Sequence, residues 1–284
     1  MTNGRPPLDQ LPPEQVVALL LDAEARVVPT VRAATVRIVQ GAELVARRMR
    51  GGGRLVFVGA GTSGRIALTE AAELPGTFGL AEGAVVVRIA GGAAGTDWDE
   101  DDTAQASTHL AELALTPADV VVAVAASGST PYTLAIAEAA CALGADVVAV
   151  VNTAPSPLAR LATVAIEVVV GAEVLRGSTR LSAGTAQKIA LNALTTTAMN
   201  LLGRVHGDVM VDVVAANAKL RGRAAGIVAE IAACSDDKAR AALVACDWNA
   251  RAAILHLVGG LTPDDARHQA SAHQTLRAAL NSVR

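Results

Sequence analysis

A doubly wound α/β fold, with a five-stranded parallel sheet sandwiched by helices and a small C-terminal three-helix unit, is predicted by three observations. Five short valine-rich runs are apolar on both alternations, the mark of strands covered on both faces. Helical patterns lie between most of these runs, which gives the strand–helix alternation of a parallel sheet. Two of the runs feed into turns rich in glycine and hydroxyl residues that open a helix, and in such sheets ligands bind at the carboxyl ends of the strands.

Pro13 and Glu14 open the first helical pattern, and a second begins near Pro29 and runs to about Arg50, where three glycines at 51–53 stop it. Strands are expected at 55–58, 85–90, 120–125, 146–151 and 164–170. Residues 181–203 have helical length and end at Gly203, and another helix is expected to start near Asp212. Ser235 caps a helix to about Cys246, a second runs to Val258 before the glycines at 259–260, and Thr262 caps a third. The division read from this is N-terminal helices at 1–50, a sheet domain at 51–232 and a small helical domain at 233–284.

Length and composition bound the function. A chain of 284 residues buries a sizeable core. Hydrophobic residues make up 52% of it but aromatics only 2%, so Ala, Val and Leu fill the interior. The scarce aromatics offer no base-stacking platform, and a net charge of −3 gives no electrostatic case for nucleic acid. Cys141, Cys234 and Cys246 form no C-x-x-C pair, which favours reduced thiols in a cytoplasmic protein. The N-terminus lacks the basic start and apolar run of a signal peptide, and no stretch reaches the roughly 20 uninterrupted apolar residues of a membrane helix.

The two glycine turns carry the first chemical signal. One reads GAGTSG at 59–64 and the other ASGSTPYT at 126–133. Glycines let backbone N–H groups approach an anion, Ser and Thr add hydroxyl donors, and a helix N-terminus adds a positive dipole end. Gly61, Thr62, Ser63 and Gly64 in the first, with Ser127, Gly128, Ser129 and Thr130 in the second, are the candidate phosphate and sugar contacts. No Lys follows the glycines, so neither is a Walker A loop. The first turn is close in spacing to a dinucleotide fingerprint, but no clean ribose-binding acid follows the second strand. Two hydroxyl loops suit a small phosphorylated ligand better, although glycine and serine are also common in ordinary strand-to-helix turns.

Acids supply the second signal. Glu70 and Glu73 stand three residues apart, on one face of the helix opened by the first loop, with Pro75 closing that segment. An acidic run, DWDEDD at 97–102, follows the second strand. A carboxylic acid and a carboxylate base facing one substrate could be assembled from these segments. The same residues also fit solvent-facing helix positions and an acidic run complementing a helix dipole. Histidines 109, 206, 256, 268 and 273 contain no i, i+4 pair and lie near no cysteine, so no metal site is expected.

These strings, together with AAELPGTFG at 71–79, VVGAEVLRGSTRLSAGTAQK at 169–188 and MVDVVAANAKL at 210–220, resemble the N-acetylmuramic acid 6-phosphate etherase family of sugar-isomerase-domain (SIS) proteins. The resemblance runs from about Gly51 into the C-terminal helices. It implies a cofactor-free, cytoplasmic, homodimeric lyase that cleaves the D-lactyl ether of N-acetylmuramic acid 6-phosphate in cell-wall sugar recycling. It places the catalytic acid at Glu73 and the second catalytic carboxylate at Glu100, with Asp99 or Asp101 as alternatives across a length change. Lys188, and more weakly Asn217 and Lys219, are further candidate contacts. Against the family pattern, the Thr-Glu-rich N-terminal segment is missing and the segment before Glu100 is about four residues short. Ser129 replaces a usual Arg, and Ser182 a usual Lys. A non-catalytic phosphosugar-binding regulator and an aldose–ketose phosphosugar isomerase are the competing readings on this fold.

Overall fold

A computed structural model describes residues 6–92, 95 and 97–283. The start of the N-terminal segment read above for a signal peptide, and the last residue of the helical domain, lie outside the described residues. The chain divides into two compact units, one of Met1–Ala71 with Val86–Thr195, the other of Ala72–Val85 with Thr196–Arg284.

The first unit opens with three helices, α1 (Pro13–Glu24), α2 (Val27–Ala33) and α3 (Thr35–Arg50). The single helix expected from Pro29 to Arg50 is thus broken at Ala34, whose ψ of 6° leaves the helical range. There follow β1 (Leu55–Gly59), α4 (Gly61–Phe78), β2 (Val85–Ile89), α5 (Thr103–Leu113), β3 (Val120–Ala125), α6 (Pro131–Ala142), β4 (Asp146–Val151), α7 (Pro157–Leu161), β5 (Val164–Glu167) and α8 (Ser182–Leu201). The five strands stand where the valine-rich runs place them, the last ending three residues early.

The sheet order is β2-β1-β3-β4-β5, and β1, β3, β4 and β5 pair in parallel, Leu55 opposite Val120 and Val120 opposite Asp146. Alternate residues of each strand face opposite layers. Val56, Val58, Val121, Ala123, Val147 and Ala149 pack with Leu113, Tyr132, Ile136 and Leu158 of α5, α6 and α7. On the other face Gly41 of α3 lies against Val148, Ile166 and Leu194, so α3 and α8 close that side. Both alternations are buried because both faces are covered, which is why the strands read as continuous valine runs. The order reverses between β1 and β3, and in such a sheet the carboxyl ends of those two strands flank the ligand crevice.

The second unit contains a hairpin, β6 (Val205–His206) with β7 (Val209–Met210), and α9 (Ala218–Ala232), α10 (Asp236–Ala245), α11 (Ala250–Gly259), α12 (Pro263–Ala272) and α13 (Leu276–Ser282). The three expected C-terminal helices are present, and α13 is a fourth, capped by the Thr275 hydroxyl on the N–H of Ala278 at 3.1 Å. The helix expected near Asp212 starts instead at Ala218, because the Asn217 side chain accepts from the N–H of Leu220 at 2.9 Å and sets the boundary. Arg251, almost wholly buried, ties this unit together: it pairs with Asp212 at 2.5 Å and donates to the carbonyls of Gly203 and Gln274. No single helix among the described residues is long and apolar enough to cross a membrane.

Candidate functional site

Four segments of the first unit meet at the carboxyl edge of the sheet. After β1, Gly61 has φ +51°, and a Cβ there would run into the Glu100 carboxylate, so both backbone and space demand glycine. The N–H of Gly64 already bonds to the carbonyl of Ala60 at 2.9 Å, which starts α4 with its positive dipole end at this edge. Ser63 is buried and Thr62 half-buried.

The loop after β3 is pinned from several sides. Gly128 has φ +63°, and a Cβ would collide with the buried Ser156. The Gly128 N–H donates to Ala125 at 3.1 Å, its carbonyl accepts from Leu158 at 2.9 Å, and the N–H of Ser129 donates to the Ser127 hydroxyl at 3.2 Å. Behind it the Tyr132 hydroxyl meets His109 Nδ1 at 2.6 Å. Burial pushes the tyrosine well above its ordinary pKa and holds the histidine below its own, so the pair is neutral near pH 7.

The acidic run forms a short 3-10 turn, Asp97–Asp101, and Asp102 then caps α5 by accepting from the N–H of Gln105 at 2.8 Å. Gln105 in turn accepts from the N–H of Gly91 at 2.7 Å, and Arg65 of α4 donates to the carbonyl of Gly95 at 3.1 Å. These ties fix the turn that carries Glu100.

The fourth segment, Gly177 to Arg180, precedes α8. Glu173 accepts from the N–H groups of Ser182 and Ala183 at 3.2 and 2.9 Å, so a carboxylate occupies that helix start.

Together these segments enclose a cavity of about 440 Å³ lined by Ala60, Thr62 and Ser63, by Glu100, by Ala126, Ser127 and Thr130, and by Gly177, Ser178, Thr179 and Arg180. The size suits a small ligand. Hydroxyls provide donors and acceptors, Arg180 provides a cation with five N–H donors, and Glu100 provides a carboxylate. Such a set can hold an anionic group and exchange a proton with the ligand that carries it.

Among the sequence candidates, Thr62, Ser63, Ser127, Thr130 and Glu100 therefore converge, with Gly61, Gly64 and Gly128 in the backbone around them. Ser129 and Lys188 do not line the cavity. Lys188 Nζ lies 2.9 Å from Glu70, whose other oxygen accepts from the Thr195 hydroxyl at 2.6 Å. Glu70 and Glu73 do not share an environment: Glu70 is buried, whereas Glu73 is exposed on the stretch of α4 that belongs to the second unit. Pro75 does not close α4, which runs on to Phe78 and stops before Gly79 at φ +59°. Of the three neighbouring acids, Glu100 lines the cavity, Asp99 lies against Gly91, and Asp101 is exposed. Asn217 serves as the α9 cap. Ser182 is buried and donates to Glu24 at 3.0 Å. Gly177, Ser178, Thr179 and Arg180 line the cavity and were not among the sequence candidates; their glycine–hydroxyl run, like the other two loops, was the available signal.

Among the described residues there is no group of three His, Cys, Asp or Glu side chains able to hold a metal ion. Family models for the SIS domain and for the glucokinase regulatory protein N-terminal SIS domain match residues 102–197 and 37–141. In fold, the chain is similar to phosphoheptose isomerase from Neisseria gonorrhoeae (TM-score 0.51, 19% identity, 66% of this chain and 98% of that one). It is also similar to the protein c3406 of E. coli CFT073 (TM-score 0.50, 17% identity, 67% and 93%). In sequence it is 41% identical over 278 residues to proteins named N-acetylmuramic acid 6-phosphate etherase from Yersinia pestis (strain Pestoides F) and Yersinia pseudotuberculosis serotype O:1b (strain IP 31758), covering 96% of this chain and 94% of each relative. A match of that depth over nearly the whole of both chains, on a sheet whose two hydroxyl loops share one cavity, means that this chain belongs to the N-acetylmuramic acid 6-phosphate etherase family.

Proposed function

We propose that this protein is a carbon–oxygen lyase that converts N-acetylmuramic acid 6-phosphate to N-acetylglucosamine 6-phosphate and D-lactate. The observation that carries the reading is the 41% identity over 96% of the chain to proteins of that name. The cavity agrees with it. Thr62, Ser63, Ser127 and Thr130 hold the phosphate, with Arg180 giving charge-assisted bonds that the serine at 129 cannot.

The chemistry follows from an open-chain sugar. Its C1 aldehyde acidifies the C2 proton, which the Glu100 carboxylate removes. The C3–O bond then breaks, Glu73 gives its proton to the departing lactate oxygen, and a C2–C3 double bond is left in conjugation with the aldehyde. Water adds back, hydroxyl to C3 and proton to C2, which restores a saturated sugar. Each acid or base step contributes roughly 10²–10⁴-fold, or about 3–5 kcal/mol. Clamping the phosphate away from C2 and C3 fixes the sugar for both proton transfers. The enzyme acts in this reading as a cytoplasmic homodimer whose active sites draw on both subunits, within cell-wall amino sugar recycling.

A non-catalytic phosphosugar-binding regulator is the second reading, favoured by the match of residues 37–141 to the glucokinase regulatory protein domain. Purified protein incubated with N-acetylmuramic acid 6-phosphate separates the two. Release of D-lactate establishes the lyase; saturable binding of the sugar phosphate without lactate establishes the regulator.

A further inference from the structure

The second unit holds a cavity of its own, about 430 Å³, that shares no lining residue with the first. One side is the irregular segment Val211 to Ala216, and the other is the turn between α10 and α11, Asp247 to Asn249. That turn is strained. Asp247 and Trp248 are consecutive non-glycine residues in the left-handed region, at φ 54° and 60°. Such residues persist only where the surroundings over-determine them, and they cluster at binding and catalytic sites. Here the hydrogen bond from the Trp248 N–H to Leu243, at 2.7 Å, holds the turn. In a chain with two tryptophans and 2% aromatics, this one is half-buried at the cavity wall, its ring fixed by the Arg221 guanidinium 4.9 Å from the centroid.

The polar groups beside the indole are Arg204, Asp212, Asp247 and Asn249. Their charges argue against a phosphate. Arg204, the one cation among the lining residues, is paired with Asp212 at 3.3 Å, and Asp212 is also gripped by Arg251. Asp247 is paired with Arg267 at 3.0 Å, so each charged group of the lining already has a partner within the protein and none is left over for an anion. The first cavity carries one charge of each sign, Arg180 and Glu100, among neutral hydroxyls.

An indole wall beside planar carboxylate, amide and guanidinium groups is the chemistry that receives an uncharged pyranose. The C–H face of the ring packs on the aromatic surface, and the hydroxyls exchange hydrogen bonds with the polar side chains. The volume accommodates one or two sugar rings. We propose that this cavity is a second saccharide site, for an uncharged sugar, separate from the phosphosugar site at the sheet edge.

Tryptophan fluorescence of the full chain tests it. Trp98→Phe leaves Trp248 as the reporter, and N-acetylglucosamine is the probe, with inorganic phosphate in parallel. The expected result is a saturable emission change with N-acetylglucosamine and none with phosphate. Calorimetry on Trp248→Ala and on Ala216→Leu, which fills the cavity from an exposed wall position, is expected to show binding weakened about tenfold or more. Circular dichroism confirms that both variants are folded. The proposal is overturned by the absence of saturable binding to the wild-type chain, by binding that survives in a folded Ala216→Leu protein, or by a Trp248 response to phosphate in place of the sugar.

Discussion

The two edges of the sheet treat charge in opposite ways. At the amino edge every charged group named is consumed by the protein itself. Asp119, almost fully buried, accepts from the Arg54 guanidinium at 2.7 Å and from the N–H groups of Arg54 and Thr116 at 2.8 and 2.9 Å. Asp146, which opens β4, accepts from Arg48 at 2.6 Å and from the Thr163 hydroxyl at 3.0 Å. At the carboxyl edge the strands end in glycine and hydroxyl residues, and their polar groups line a cavity. The strands between are mostly Val and Ala, so neither behaviour comes from the middle of the sheet. Stability is concentrated at one end of the strands and chemistry at the other.

That contrast is broken most directly at Glu100. Glu100→Gln is expected to lower D-lactate release by about 10²–10⁴-fold while leaving the thermal midpoint where it was; a large loss of stability with retained turnover would reverse the assignment of the two edges. At the amino edge, Asp119→Ala leaves Arg54 without its partner inside the fold. It should cost about 3 kcal/mol in urea unfolding with KM unchanged.

Acid titration sharpens the same point. Burial alone would raise the Asp119 carboxyl, but the hydrogen bonds from Arg54 and Thr116 outweigh it and hold the group down at about 2. Its stabilisation is therefore complete above the unfolded value near 4 and is lost as pH falls from about 4 to 2, roughly 2 kcal/mol in all. In Asp119→Asn that portion of the acid-unfolding slope should vanish. Smaller effects belong to the carboxyl edge. Arg180→Ala is expected to raise KM about tenfold by removing a charge-assisted bond, and Ser127→Ala about threefold by removing a neutral one, with the unfolding free energy unchanged in both.

Much of this was legible in the sequence, for a physical reason. A strand buried on both faces has no freedom to be polar, so the runs at 55–58 and 120–125 announce themselves, and the glycines at 61 and 128 mark positions no other residue fits. The misses share a different cause. Ala34 and Pro75 show that local propensity does not fix a helix end: one helix breaks without glycine or proline, and another continues through a proline. The hairpin at 205–210 and the helix Leu276–Ser282 are short, and their turn signals, Gly207-Asp208 and Thr275, lie where no long periodicity draws attention to them. The fate of Glu70 and Lys188 could not be read at all. Their pairing spans 118 positions, and whether a charged residue meets a ligand or another side chain is decided by tertiary packing.

Gly61 and Glu100 lie 39 positions apart, yet the carboxylate sits where a side chain at 61 would begin. A library randomised at 61 alone should return glycine, since each alternative displaces the carboxylate and strains a backbone held at φ +51°; shortening 100 in the same clone removes the first obstacle and leaves the second. Change at 61 is thus restrained twice, by its own backbone and by the carboxylate it would displace.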